Sequence, residues 1–163
     1  MKTSIAVLLV IAACSWGCAH TTLTGATFFR EGTFPTLNPA ATAGPNHLVL
    51  QITRHVDTIL SGPDIEEDQR LILDLRNVRL QQRLPIPSAE AVPQLLVTRF
   101  GPPSEGKEFR GFVIINQISS NQVQASLSVD VVVLTRDGGY SQNVRFRGDF
   151  KFFQQVPVKD FGK

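Results

Sequence analysis

The final third of the chain alternates apolar and polar residues with a strict period of two, a pattern that strands satisfy and helices do not. From Val123 to Val133 the odd positions are Val123, Ala125, Leu127, Val129, Val131 and Val133, with Gln124, Ser126, Ser128 and Asp130 between them. From Val144 to Phe152 the even positions are Val144, Phe146, Gly148, Phe150 and Phe152, separated by Arg145, Arg147, Asp149 and Lys151. Successive strand side chains point to opposite faces, so each segment presents one apolar face.

The two segments flank Asp137-Gly138-Gly139, a hairpin turn signal. A slip of one residue would turn every side chain over, so odd positions of one strand must meet even positions of the other. A turn at Asp137-Gly138 pairs Val131 with Val144, Val129 with Phe146, Leu127 with Gly148, Ala125 with Phe150 and Val123 with Phe152. It also sets Asp130 opposite Arg145 on the outer face. A Gly138-Gly139 turn, shifted by one step, is the alternative. The same parity argument at Ser120-Asn121 pairs Ile118 with Val123, Asn116 with Ala125, Ile114 with Leu127 and Phe112 with Val129. The expectation is a three-stranded antiparallel meander. Phe112, Ile114, Asn116 and Ile118 share its apolar face, and Val113 and Ile115 lie outside.

Upstream, shorter alternating segments at 23–30, 47–59, 70–80, 94–100 and 108–118 are separated by Pro/Gly-rich breaks such as SGPDIEED, LPIPSAEAVP and GPPSEGK. Helical turns are expected only at 64–69 and 88–92. The apolar face of the meander needs a cover. The predicted fold is therefore all-β: an antiparallel β-sandwich of about seven strands, with a small β-barrel as the alternative.

The formal net charge is +2, and Lys2 contributes one of the 16 basic side chains. The body of the chain is close to neutral and carries no basic stripe of the kind nucleic acid requires. The two cysteines, Cys14 and Cys18, both fall within the first 18 residues, so no disulfide framework spans the domain.

Those first residues have the order of a secretory signal. Lys2 is followed by the apolar run IAVLLVIAA at 5–13 and then by CSWGCAH. The run is too short to cross a bilayer, which takes about 20 residues. Val10-Ile11-Ala12-Ala13-Cys14-Ser15 resembles the lipobox of bacterial lipoproteins. That resemblance implies a diacylglycerol on Cys14, which would become the mature N-terminus. Cys18, in Ser15-Trp16-Gly17-Cys18, is the alternative: it gives a more ordinary signal length but places Trp16 where a small residue is expected. In that family an Asp after the cysteine is associated with inner-membrane retention. Neither Ser15 nor Ala19 is Asp, which implies an outer-membrane address facing the periplasm. Cleavage after Ala19, yielding a soluble secreted or periplasmic protein, is the third reading. The expected organisation is a signal segment at 1–18 and a single β-domain at 19–163.

Candidate chemistry in the domain is sparse. His55 and Asp57 lie two apart on a predicted strand and so share a face, a pairing suited to acid–base work or to binding zinc if further ligands converge. His47 is a further imidazole on the same strand. Asp64, Glu66, Glu67 and Asp68 read as a solvated acidic turn, lacking the glycine and distal Glu of a calcium loop. Arg145, Arg147 and Lys151 form a charged strand face able to meet lipid phosphates, interrupted by Asp149. Neither a Gly-x-Ser-x-Gly elbow, a P-loop nor a GxGxxG sequence occurs.

The sequence thus predicts an exported, lipid-anchored envelope protein with a non-catalytic binding or structural domain. No cofactor or nucleic acid is expected; the membrane, reached through the N-terminal lipid, and an envelope protein are the expected partners. One alternative is a carrier whose interior, lined by Phe112, Phe146, Phe150 and Phe152, holds a small apolar ligand. A hydrolase gathering His47, His55 and Asp57 is the other.

Overall fold

In the computed structural model the alternating segments all become strands. It describes residues 20–30, 32–34, 41–43, 46–58, 65–99, 104–134 and 141–155. The strands are β1 (His20–Phe29), β2 (Gly32–Phe34), β3 (Ala41–Ala43), β4 (His47–Thr58), β5 (Ile65–Arg76), β6 (Arg83–Ile86), β7 (Ala91–Thr98), β8 (Ser104–Ile118), β9 (Gln122–Leu134) and β10 (Ser141–Gln154). The helical turns expected at 64–69 and 88–92 do not form: residues 65–69 open β5, and Ala91 and Val92 open β7.

One sheet runs β6-β8-β7-β5-β4-β1-β10-β9, and an additional β8–β9 pairing brings its ends together. The result is a closed seven-stranded barrel, with β6 paired outside the ring on β8. The apolar face of the meander is therefore covered by the rest of its own sheet, which curls round to meet it. This is the barrel alternative and not a pair of separate sheets. Every neighbouring pair in the ring is antiparallel except β1 and β10, which run parallel.

The β9–β10 register is the predicted one, from Val131↔Val144 down to Val123↔Phe152. The loop at 135–140 that joins these strands lies outside the described residues. The β8–β9 register begins as predicted at Ile118↔Val123, then shifts, because Gln117 pairs with Gln124 but Ile115 pairs with Ala125. Asn116 is the extra residue of a β-bulge, and the residues upstream of it as far as Glu108 change face. Val113 and Ile115 are buried in the barrel, whereas Phe112 and Ile114 turn outward. The expected inward placement of Phe112, Ile114 and Asn116 is corrected accordingly. Phe112 stacks against the Arg83 guanidinium, 3.8 Å from the ring centroid.

A second irregularity at Lys107, between Gly106 and Glu108, bends β8 again. The 15-residue strand can thereby pair with β9 along one edge and with β7 and then β6 along the other. Bulges of this kind give a sheet the curvature that closure requires.

The barrel is filled by its own side chains. Phe28, Leu50, Ile52, Leu71, Leu73, Leu75, Leu95, Val113, Ile115, Val129, Phe146 and Phe152 belong to one continuous buried cluster. A small second cluster, Phe29, Val49 and Ile72, is buried on the opposite face of β1, β4 and β5. At one rim, here called upper, lie Asp57, Asp68, Thr98 and Leu134; at the lower rim lie His47, Arg76, Ala91 and Ile118.

Candidate functional site

Inward-facing positions of β5 read Leu75, Leu73 and Leu71 from the lower rim, and then Gln69 and Glu67. The barrel axis thus changes from apolar to polar near its upper rim. Glu67 is 3% exposed and is not part of a solvated turn. Its Oε2 accepts from Arg99 Nε at 2.6 Å, and its Oε1 accepts from Gln142 Nε2 at 3.3 Å and from Gln69 Nε2. Arg99 Nη2 also donates to Gln142 Oε1 at 2.7 Å. Gln69 Oε1 accepts from Arg54 Nε at 2.7 Å, while Arg54 Nη1 donates to the Arg145 carbonyl at 2.6 Å and the guanidinium lies 4.0 Å over the Phe146 ring.

This network ties β4, β5 and β10 to the residue that follows β7. Burial pushes the Arg54 guanidinium below its ordinary value, and Glu67 acts in the opposite sense. Both carboxylate oxygens of Glu67 are taken up by donors, so the group acts as a cross-link and is not a free base. The sequence did carry a signal for it. Continuing the Leu75-Leu73-Leu71 alternation backwards reaches Gln69 and Glu67 on the core face. The four acidic residues beside a Gly-Pro obscured that continuity.

His55 and Asp57 do meet, on the outer face of β4, with His55 Nε2 2.9 Å from Asp57 Oδ1. The cross-strand neighbour Asp68 completes the group, its Oδ1 2.8 Å from His55 Nδ1. The hydrogen bond to Asp68, assisted by the charges of both carboxylates, raises the imidazole pKa against a smaller opposing desolvation. Two carboxylates flanking the ring favour its doubly protonated form, which offers a metal no lone pair. Among the described residues, no group of three His, Cys, Asp or Glu side chains is placed to hold a metal ion.

His47 does not join this site. It lies eight residues away at the lower rim, about 26 Å along an extended strand, with Nδ1 2.9 Å from Asp74 Oδ1. That contact is not directed as a hydrogen bond. His47 lines an open cleft of about 540 Å³ with Arg30, Asn77 and Ile118. Arg30 there donates to the Ser119 carbonyl at 3.1 Å.

The remaining candidates are placed as follows. Arg145 and Arg147 both reach Asp130, at 3.3 Å and 3.1 Å, on the outer face. Lys151 is exposed beside them. Asn116, on its bulge, donates to Ser126 Oγ at 2.8 Å, and Ser126 Oγ donates to Asp149. Phe146 and Phe152 are core residues and Phe150 packs against the core from a partly buried position, whereas Phe112 is outside. Cys14, Cys18 and Asp64 lie outside the described residues. No protein-family model, curated protein or solved structure matches the chain.

Proposed function

We propose that the chain is an exported, lipid-anchored envelope protein whose barrel is a binding or structural domain and not a catalyst. The observation that carries this reading is the occupied interior. Apolar side chains pack the barrel through its middle, and the polar groups near the upper rim bond to one another. Recognition then belongs to the outside of the barrel. The same packing weighs against the carrier reading, since Phe146 and Phe152 are spent on the core.

The anchor half of the reading rests on the signal-like residues 1–18 and the lipobox resemblance at Cys14. β1 starts at His20 on the upper rim. From Cys18 an extended tether spans about 7 Å, and from Cys14 about 20 Å. Either length holds the upper rim against the membrane and turns the lower-rim cleft away from it.

Expression of the full chain in a Gram-negative host with labelled palmitate, followed by fractionation and intact-mass measurement, tests the proposal. Label in the membrane fraction is expected, on a chain beginning at Cys14 or Cys18. Cys14→Ser and Cys18→Ser identify which. An unlabelled soluble chain, whether beginning after Ala19 or uncleaved, overturns the anchor.

A further inference from the structure

The ring has two weak joints. Between β7 and β8 the ladder is only two residue pairs long, Leu96↔Glu105 and Val97↔Ser104, and β6 fills the space below it by pairing with residues 111–114 of β8. Between β1 and β10 the ladder is again two pairs long, Thr27↔Phe153 and Phe28↔Gln154, near the lower rim. Above it, among the described residues, no strand pairs between the two.

Two observations mark this second joint as open above its two pairs. Leu23 pairs with Arg54, which alternates with the core residue Ile52, so Leu23 belongs to the inner face; yet it is 54% exposed. The Arg145 carbonyl on β10 is reached by a side chain from β4, Arg54, which crosses the place where β1 would pair.

We infer that this seam is a strand-addition site, which accepts an extended acidic and aliphatic segment of a partner protein between β1 and β10. An unpaired strand edge offers backbone donors and acceptors to any extended chain of matching register. Direction is set by parity. Seven strands cannot alternate around a ring, so β1 and β10 are left parallel. A strand antiparallel to both would give an eight-stranded ring with every neighbour antiparallel. Its length follows from residues 21–26 of β1, about six residues or 20 Å. Its chemistry follows from the walls. Inward side chains would cover Leu23. Outward ones would face Arg145, Arg147 and Lys151 on β10 and the uncharged Thr22, Gly25 and Thr27 on β1. Asp130 lies on the far side of β10 and already serves both arginines, and Asp149 accepts from Ser126, so the exposed cations favour Glu or Asp in the incoming strand.

The test uses the full chain and three capped seven-residue peptides: Val-Glu-Val-Glu-Val-Glu-Val, its Lys-for-Glu counterpart, and the Glu peptide N-methylated at alternate amides. Binding is followed by amide chemical shifts. Saturable binding of the Glu peptide is expected, with shifts centred on residues 21–26 and 144–151. The Lys and N-methylated peptides should bind at least tenfold more weakly. Leu23→Asp should abolish binding while leaving the circular dichroism spectrum unchanged, and R145E/R147E should reverse the preference between Glu and Lys peptides. No binding of the Glu peptide, equal binding of the N-methylated one, or a seam closed by a second copy of the chain in sedimentation equilibrium would overturn the inference.

Discussion

The Arg54 guanidinium stacks on Phe146 at 4.0 Å while donating across the open joint to the backbone of the residue before it, Arg145, at 2.6 Å. One side chain from β4 therefore holds β10 from inside. Lysine keeps the charge but lacks the planar fork that stacks and bonds in several directions at once. Arg54→Lys should cost about 1–3 kcal/mol in urea denaturation, the range for losing charged hydrogen bonds and a desolvated cation–π contact. Arg54→Met, which restores stem packing without charge, should leave Gln69 short of a partner and cost a similar amount.

Glu67 and Arg99 form an unequal pair, with the carboxylate 3% exposed and the guanidinium 43% exposed. Removing the guanidinium strands a buried charge; removing the charge relieves it. Arg99→Ala should therefore destabilise by about 2 kcal/mol, and adding Glu67→Gln in that background should recover part of the loss. Equal, additive losses in the double-mutant cycle would show that the two side chains do not interact.

His55 gives the fold a pH dependence of known sign. Its imidazole pKa is raised, chiefly by the hydrogen bond to Asp68 and then by the charges of Asp57 and Asp68. The folded state thus binds a proton more tightly than the unfolded state does. That stabilisation is fully present below the ordinary imidazole value of 6.5 and is lost as pH rises through the higher folded value. His55→Gln should lower the melting temperature more at pH 5.5 than at pH 8.5. A proton NMR titration should place the His55 midpoint above 6.5, and a midpoint below it would reject this assignment.

What could be read from the sequence was whatever depended on neighbours along one strand or across one turn. The full β9–β10 register follows from parity and a turn signal, down to the Asp130–Arg145 ion pair. Parity failed at Asn116, because a bulge is an added residue that period counting cannot see, and one such residue exchanged Phe112 for Val113 in the core. The Glu67 network was hidden for a different reason: its partners Arg99 and Gln142 lie 32 and 75 residues away, and only ring closure brings them together. Sandwich and barrel differ in the same way, since both present the same alternation and differ in whether β8 meets both β7 and β9.

Gly111 pairs with Val129, and the backbone of Ser128 and Val129 lies where a side chain would go. Its φ is +156°, and a Cβ there would sit 1.9 Å from the Ser128 carbonyl oxygen. That obstacle is backbone and cannot rotate away. Gly111→Ala should cost more than about 3 kcal/mol, combining overpacking with an unfavourable φ, and should show as loss of the cooperative thermal transition. Gly25→Ala, with open space around it, should change the melting temperature little.

The bulge makes a sharper prediction, because it can be deleted. Without Asn116, Gln117 and Ile118 would each move up one place, and β8 would pair with β9 in one continuous register from Ile115↔Ala125 onward. Val113 and Ile115 would keep facing the core. The losses would be the Asn116–Ser126 hydrogen bond, the Asn116 carbonyl's bond from Gln81 Nε2 and some local curvature. Each exposed or half-exposed bond is worth about 1 kcal/mol, so deletion of Asn116 should leave a folded barrel destabilised by about 1–3 kcal/mol. Deletion of Ser128, in the β9–β10 ladder, has the opposite character. That ladder runs from Ser141↔Leu134 to Phe153↔Gln122 without a bulge to absorb the loss, so part of β9 is turned over, carrying buried apolar groups outward and polar ones inward. That variant should not fold. Heteronuclear NMR spectra of the two deletions should therefore show dispersed amides for the first and collapsed amides for the second, and a dispersed spectrum for both would mean that β9 is not held in register by its inner face.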